Sequence, residues 1–218
     1  METENQRHKL YIIGGVARVG KSIIAREMSR RKCLTVLPAD SIRSAIRYVL
    51  MGNPAISPGK ISFQGMATYG SNQTLPFERN GQSEDDLAAL GVFALSMKYD
   101  RTNAYDVLFE GVSITPKLVS ELKLNNLDMK VAFIGYNNAS HAESILTHSK
   151  KEKDYIYTEM VQSGKGDEYV KDTIQNGIKH SDEIKQQAQA LGYKYFDATK
   201  IASFEEHVQA VVDYLLKE

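Results

Sequence analysis

The stretch GGVARVGKS, Gly14–Ser22, directly follows an apolar run, KLYII, at residues 9–13. Its last eight residues match the pattern G-x-x-x-x-G-K-[ST] at every fixed position. Glycines let the backbone curl so that successive N–H groups point inward around a phosphate, and a following helix adds the positive end of its dipole. KLYII predicts the strand before the loop, and KSIIAREMSRR predicts the helix after it. The predicted phosphate-binding loop consists of Gly15, Val16, Ala17, Arg18, Val19, Gly20, Lys21 and Ser22.

Three side chains of this loop have polar groups to offer a nucleotide. Lys21 is expected to reach the β- and γ-phosphates as a point charge, and Ser22 to offer its hydroxyl to Mg²⁺. Arg18 has two interpretations, a solvated surface residue or a phosphate contact. The loop therefore predicts binding of a nucleoside triphosphate with Mg²⁺, and it leaves the reaction open.

Apolar, β-rich runs alternate with helical patterns along the whole chain. The predicted strands are residues 9–14, 33–39, 105–111, 129–135 and 193–198, and their nearly continuous apolar character suits a sheet buried on both faces. The predicted helices are residues 21–31, 40–50, 83–98, 116–124, 167–191 and 203–216, with Thr115 as the cap of the fourth. This alternation predicts one α/β domain over residues 1–218 with a parallel sheet.

Composition narrows the functional classes. The chain has 27 basic residues (Lys and Arg) and 27 acidic residues (Asp and Glu), so its formal net charge is zero. A balanced charge disfavours binding to nucleic acids or to membrane surfaces. Because Cys33 is the single cysteine, the chain cannot form an internal disulfide, and Cys33 is expected to be buried. The five histidines lack the spacing of metal ligands, so we interpret His141 and His148 as surface residues. The polar N-terminus has no signal-peptide pattern, which predicts a cytoplasmic protein. No heptad pattern indicates an oligomeric state.

Two long polar segments interrupt the strand and helix pattern. Residues 51–81 are rich in Gly, Pro, Ser and Asn, and residues 141–166 are rich in Lys. Loops of that length are usually functional or disordered, and ligands of α/β sheets bind beyond the carboxyl ends of the strands. We therefore expect a substrate-binding insert at 51–81 and a lid at 141–166.

Asp40 follows the second predicted strand and opens a helix. It is expected to cap that helix, and a carboxylate beside the γ-phosphate also accepts a proton from an attacking hydroxyl. Arg43 and Arg47 lie four residues apart on one helical face, which is either solvated or a clamp for an anionic substrate. Arg79, in the insert, is a further candidate for a substrate anion.

The third predicted strand, residues 105–111, closes in the letters DVLFEG, which place the acid Glu110 at its end. A hydrophobic strand that closes in an acid beside a phosphate loop is where a carboxylate for Mg²⁺ is expected. The alternative is an acid that merely ends a strand.

With these motifs the chain resembles the P-loop kinases of small molecules. That group includes shikimate and gluconate kinases, chloramphenicol phosphotransferase, zeta-toxin-like kinases and 2-phosphoglycerate kinases. The resemblance is closest to the last of these, in GGVARVGKS, in ADSIR (residues 39–43) and in VLFEGVSITP (residues 107–116). It spans most of the chain in layout and is specific only in these three motifs.

The resemblance implies a five-stranded parallel sheet flanked by helices, with the phosphate-loop strand at its centre. It also implies phosphoryl transfer from ATP with Mg²⁺, with Asp40 at the acceptor hydroxyl and Arg43 near the substrate. Residues 193–200 resemble the turn where adenine often rests. One departure stands out, because such kinases supply lid arginines and this chain has no Arg after Arg101. The candidate lid has only Lys150, Lys151, Lys153 and Lys165 as formal cations, and these either neutralise phosphate charge or form a solvated face.

Three functional hypotheses follow. The first is an ATP-dependent kinase that acts on a hydroxyl of a small, anionic metabolite. The second is a nucleotide-binding regulator with weak or no transfer activity, which the lysine-only lid favours and which Asp40 and Glu110 oppose. The third is a toxin-like kinase of nucleotide sugars, which the fold allows.

Overall fold

A computed structural model describes residues 9–42, 106–121, 128–138, 140–153, 155–200 and 203–217. The predicted helix at 83–98, the insert at 51–81 and most of the predicted helix at 40–50 lie outside these residues. In the described part of the chain the strands are β1 (Lys9–Gly15), β2 (Leu34–Pro38), β3 (Asp106–Glu110), β4 (Asp128–Gly135) and β5 (Lys194–Asp197). The helices are α1 (Lys21–Arg31), α2 (Pro116–Glu121), α3 (Ser140–Glu152), α4 (Tyr155–Ser163), α5 (Asp167–Ala190) and α6 (Phe204–Leu216).

The five described strands form one parallel sheet in the order β2-β3-β1-β4-β5. This confirms the predicted five-stranded parallel α/β fold with the phosphate-loop strand at the centre. Leu10 to Ile13 of β1 are at most 1 % exposed, because neighbouring strands flank β1 on both edges and helices cover the sheet. Continuous burial on both faces explains why the strand is apolar at every position rather than at alternate ones.

Side-chain hydrogen bonds fix the first turns of two helices and the path of the chain after one strand. Thr115 Oγ1 accepts a hydrogen bond from Leu118 N–H at 3.3 Å, which confirms the predicted cap of α2. Ser203 Oγ accepts one from Glu206 N–H at 3.1 Å and so caps α6. Where the chain leaves β4, Tyr136 N–H donates to the buried Ser181 hydroxyl of α5 at 3.1 Å, which directs the chain toward α3.

The prediction that Cys33 is buried is wrong. Its side chain is exposed, because Cys33 lies in the connection between α1 and β2 and the buried strand begins one residue later, at Leu34. None of the helices in the described part of the chain combines the length and the apolar character needed to cross a membrane.

Candidate active site

The predicted phosphate loop connects β1 to α1, and two glycines shape it. Gly15 has φ 126° and Gly20 has φ 82°, values that side-chain-bearing residues rarely adopt. A Cβ atom on Gly15 would also collide with the carbonyl oxygen of Ile134 in β4. The carbonyl of Gly20 accepts hydrogen bonds from Ile23 N–H and Ile24 N–H at 3.0 and 2.9 Å, so α1 begins immediately after the loop. The loop therefore lies tightly between β4 and the N-terminus of α1.

Lys21 is buried within its own loop. Its Nζ donates hydrogen bonds to the carbonyl oxygens of Val16 at 2.6 Å and Gly15 at 3.2 Å. Burial lowers the pKa of Lys21 from its usual 10.5 to about 8, although the carboxylates of Asp40 and Glu110 act in the opposite direction. The ammonium group thus lies in a desolvated site, where a phosphate anion would stabilise its charged form.

Ser22 and Glu110 meet at the carboxyl ends of β1 and β3. The Ser22 hydroxyl donates a hydrogen bond to Glu110 Oε1 at 2.9 Å. Burial raises the pKa of Glu110, and the nearby Asp40 carboxylate raises it further, whereas the Ser22 hydrogen bond and the Lys21 charge lower it. A cation bound here would relieve the desolvation of Glu110.

These two oxygen donors fit a Mg²⁺ ion. Mg²⁺ is usually bound by one or two protein oxygens and completes its octahedron with water and substrate phosphates. Within the described ranges, no group of three or more His, Cys, Asp or Glu side chains could hold a metal by itself. The donor set therefore suits an ion that arrives with a nucleotide, held by the Ser22 hydroxyl and the Glu110 carboxylate.

Asp40 lies beside Glu110, but not as the predicted helix cap. Residues 39–42 are helical, so Asp40 is inside the first turn rather than before it. Its Oδ1 accepts a hydrogen bond from Val112 N–H at 3.3 Å. A Cβ atom on Gly111 would lie 2.7 Å from the Ala39 Cβ and 3.3 Å from Asp40 Oδ1. The absence of a side chain at Gly111 thus allows the Asp40 carboxylate to reach the backbone that follows Glu110.

A cavity of about 650 Å³ joins these groups. Its lining residues come from the phosphate loop and the start of α1, from the segments that follow β2, β3 and β5, from α3 and from the start of α6. They are Ala17, Arg18, Val19, Gly20, Lys21, Ser22, Ile23, Asp40, Glu110, Val112, Ser144, Ile145, His148, Ala198, Ser203 and Phe204. The structure therefore brings Arg18, Lys21, Ser22, Asp40 and Glu110 to one space.

The remaining predicted site residues are not in this set. Arg43, Arg47 and Arg79 lie outside the described residues. The segment predicted as a lid contains most of α3 and all of α4. Lys150 contacts Asp167 at 2.6 Å and Lys151 contacts Glu152 at 3.6 Å, and among the described lining residues there is no lysine from this segment.

Two groups of lining residues were not among the predicted site residues. His148 was interpreted as a plain surface residue, although Ser144, Ile145 and His148 have the spacing of one helical face. Phe204 opens α6, and its ring lies against the backbone of Gly20. A helical pattern gives the spacing of such residues, but it does not say which face meets the phosphate loop.

No family model matches the chain, and neither does any curated protein. Solved structures do match. A gluconokinase from Sinorhizobium meliloti 1021 aligns with a TM-score of 0.53 at 11 % identity, over 96 % of this chain and 91 % of that one. A shikimate kinase from Bacteroides thetaiotaomicron aligns with a TM-score of 0.53 at 14 % identity, over 97 % and 99 %.

The chain has the fold of P-loop small-molecule kinases. A sugar kinase from Janibacter sp. HTCC2649 shares it as well, with a TM-score of 0.52 and 13 % identity over 96 % of this chain and 94 % of that one. At these identities the likeness shows the P-loop kinase fold alone.

Proposed function

We propose that this protein is an ATP-dependent phosphotransferase that moves the γ-phosphate to a hydroxyl of a small anionic metabolite. One observation carries the proposal. A phosphate-loop lysine, a hydroxyl–carboxylate pair suited to Mg²⁺ and a separate carboxylate, Asp40, all line the same cavity. A carboxylate in this place can accept the proton of an attacking hydroxyl, a role that nucleotide binding alone does not require.

Each side chain has a distinct task in this proposal. The loop N–H groups and Lys21 hold the phosphates, and Lys21 stabilises negative charge as it develops on the transferred group. Ser22 and Glu110 would hold Mg²⁺, and the ion would supply positive charge that offsets part of the negative charge of the phosphates. Asp40 orients the acceptor hydroxyl and takes its proton, as the oxygen bonds to the γ-phosphorus and the bond to the β–γ bridging oxygen breaks. ADP then leaves as the second product.

The anionic acceptor is proposed from the arginines of the sequence. Arg43 follows the helical turn that holds Asp40, and Arg47 lies one turn further along the same predicted helix. We further propose that residues 51–81, which include Arg79, bind the acceptor. Residues 141–166 are proposed to act as a lid of the same domain. A closed lid would exclude water, which otherwise competes as acceptor.

The test is turnover of ATP·Mg²⁺ with a panel of phosphorylated, carboxylated and nucleotide-sugar hydroxyl compounds. We expect one acid of the panel to be phosphorylated. In the Asp40→Asn variant, turnover should fall about 10²- to 10⁴-fold while the Kd for ATP changes little, because the amide cannot take the proton. Asp172→Asn, on an exposed position of α5, is the matched control and should keep full turnover. Unchanged turnover in Asp40→Asn would contradict the role of Asp40.

A nucleotide-binding regulator is the second candidate. The observation that favours it is that Lys150 and Lys151 contact acids, Asp167 and Glu152, instead of lining the cavity. ATP binding without turnover of any panel compound, in the wild type, would favour the regulator over the kinase.

A further inference from the structure

Helix α3 contributes one polar face to the cavity. Ser144, Ile145 and His148 follow the i, i+1, i+4 spacing of a single helical face, and all three line the space beside the phosphate loop. Ile145 is buried and anchors the helix in the core, whereas Ser144 and His148 are exposed to the cavity side. This face is therefore built to present polar groups to whatever occupies the cavity.

The charges of the described cavity lining nearly cancel. Arg18 and Lys21 are cationic, and Asp40 and Glu110 are the acids. A nucleoside triphosphate remains anionic even with Mg²⁺ bound, so it leaves negative charge for further donors to stabilise. Among the described lining residues, His148 is the remaining ionisable side chain, and it comes from an element separate from the loop and from the carboxylates.

The two lysines of α3, Lys150 and Lys151, contact carboxylates instead of lining the cavity. The Lys150 ammonium contacts both carboxylate oxygens of Asp167, at 2.6 and 2.8 Å, at the start of α5. Lys151 contacts Glu152 of its own helix at 3.6 Å. In this arrangement His148, and not Lys150 or Lys151, lines the cavity beside the phosphate loop.

The apolar side of the cavity suits a different part of the ligand. Ile23 and Phe204 are large apolar side chains that remain 45 % and 44 % exposed, and both line the cavity beside Gly20. Such surfaces stack on or pack against a flat base. The His148 imidazole carries at least one N–H donor in either protonation state, which Ile23 and Phe204 lack.

We infer that His148 donates a hydrogen bond to the phosphate chain of the bound nucleotide, and so supplies from α3 a contact that Lys150 and Lys151 do not make. The inference rests on the proposed function, since it requires a nucleotide in the cavity. It adds a binding residue that the sequence pattern did not indicate.

The test compares two substitutions of His148, one that keeps an N–H donor and one that keeps an aromatic ring. His148→Lys supplies an N–H donor without the ring, and His148→Phe supplies an aromatic ring without the donor. Measured by titration calorimetry with ATP·Mg²⁺, His148→Phe should weaken binding about ten-fold or more, the usual effect of losing a hydrogen bond to a charged group. His148→Lys should stay within about three-fold of the wild type.

The matched controls are His180→Phe and His180→Lys. His180 is also an exposed helical histidine, on α5, and it contacts Glu183 at 3.3 Å rather than the cavity. Both should bind ATP·Mg²⁺ as the wild type does. Because His148 is exposed, its variants should melt, without ligand, close to the wild-type temperature.

Three results would overturn the inference. Loss of affinity in His148→Lys with retention in His148→Phe would show base stacking instead. Equal loss in both would show that a donor does not suffice, and no loss in either would show that His148 makes no contact. A wild type that does not bind ATP·Mg²⁺ would be a failure of the proposed function, and it is recognisable as such because it appears before any substitution is made.

Discussion

The carboxyl ends of β1 and β4 are neighbours in the sheet, and both lead to the same cavity in different ways. Gly15 pairs with Ile134, so the two strands end side by side. After β1 the chain forms a loop whose shape depends on its own glycines, and whose N–H groups and lysine contact the site directly. After β4 the chain forms α3, which contributes to the cavity only through the face it turns inward. The first contribution is set by local backbone geometry and the second by tertiary packing.

The largest effect, on turnover, is expected from Gly111→Ala, a change beside the carboxylates of Asp40 and Glu110. Gly111→Ala places a Cβ atom 2.7 Å from the Ala39 Cβ and 3.3 Å from Asp40 Oδ1, so the Asp40 turn has to move. Misplacement of a catalytic group by about 1 Å costs on the order of 10²-fold in turnover, and we expect a loss of about that size. The Kd for ATP·Mg²⁺ should change little, because the phosphate loop is untouched.

The double variant Gly111→Ala/Ala39→Gly is the control for packing. It removes the Ala39 Cβ that the new side chain would meet and leaves the 3.3 Å approach to Asp40 Oδ1. We expect urea unfolding to show recovery of most of the stability lost in Gly111→Ala, together with partial recovery of turnover. Full turnover in the single Gly111→Ala variant would refute the idea that this glycine positions Asp40.

A smaller effect concerns the charge state of Lys21. Its pKa of about 8 means that the ammonium form falls from most of the population at pH 7 to about one-tenth at pH 9. Phosphates bind the ammonium form, so affinity is lost as the pH rises through 8. The Kd for ATP·Mg²⁺ should therefore rise about ten-fold between pH 7 and pH 9.

The control for this pH dependence is Lys21→Met. It should bind ATP·Mg²⁺ weakly at both pH values, with a much flatter dependence. An equally steep dependence in Lys21→Met would assign the titration to another group and would oppose the assignment to Lys21.

The smallest effect, on the free energy of unfolding, is expected from a substitution of Lys150 in α3. Lys150 and Asp167 form an exposed pair, and such pairs contribute about 0–1 kcal/mol to stability. Lys150→Ala should therefore lower the free energy of unfolding by less than about 1 kcal/mol and leave the Kd for ATP·Mg²⁺ unchanged. A ten-fold loss of ATP affinity in this variant would show that Lys150 reaches the phosphates, and would weaken the distinction between the two strand ends.

The sequence predicted the architecture well because the fold depends on strong local patterns. Residues 21–31 were predicted as a helix with the bounds that α1 has, and the five strands were placed to within two residues at each end. The pairing of Ser22 with Glu110 follows from a motif and from the rule that parallel strands end at one edge.

The errors concern features that depend on neighbours in space. Cys33 is a burial-prone residue type next to an apolar run, yet it lies in a connection one residue before the buried strand. Asp40 has the residue type of a helix cap, yet its carboxylate meets the backbone beyond β3. His148 is exposed, as predicted, but only the packing of α3 shows that the face with His148 lines the cavity.

The most direct test of the central claim is the melting temperature of the wild type and of Lys21→Met with ATP·Mg²⁺ and with GTP·Mg²⁺. A ligand that binds only the folded state at about 100 times its Kd stabilises it by about 2.7 kcal/mol. For a chain of this size that corresponds to a rise of roughly 5–10 °C. We predict such a rise for the wild type with ATP·Mg²⁺ and little or none for Lys21→Met. No rise with either nucleotide in the wild type would contradict the assignment of the cavity beside residues 15–22 as a nucleotide site.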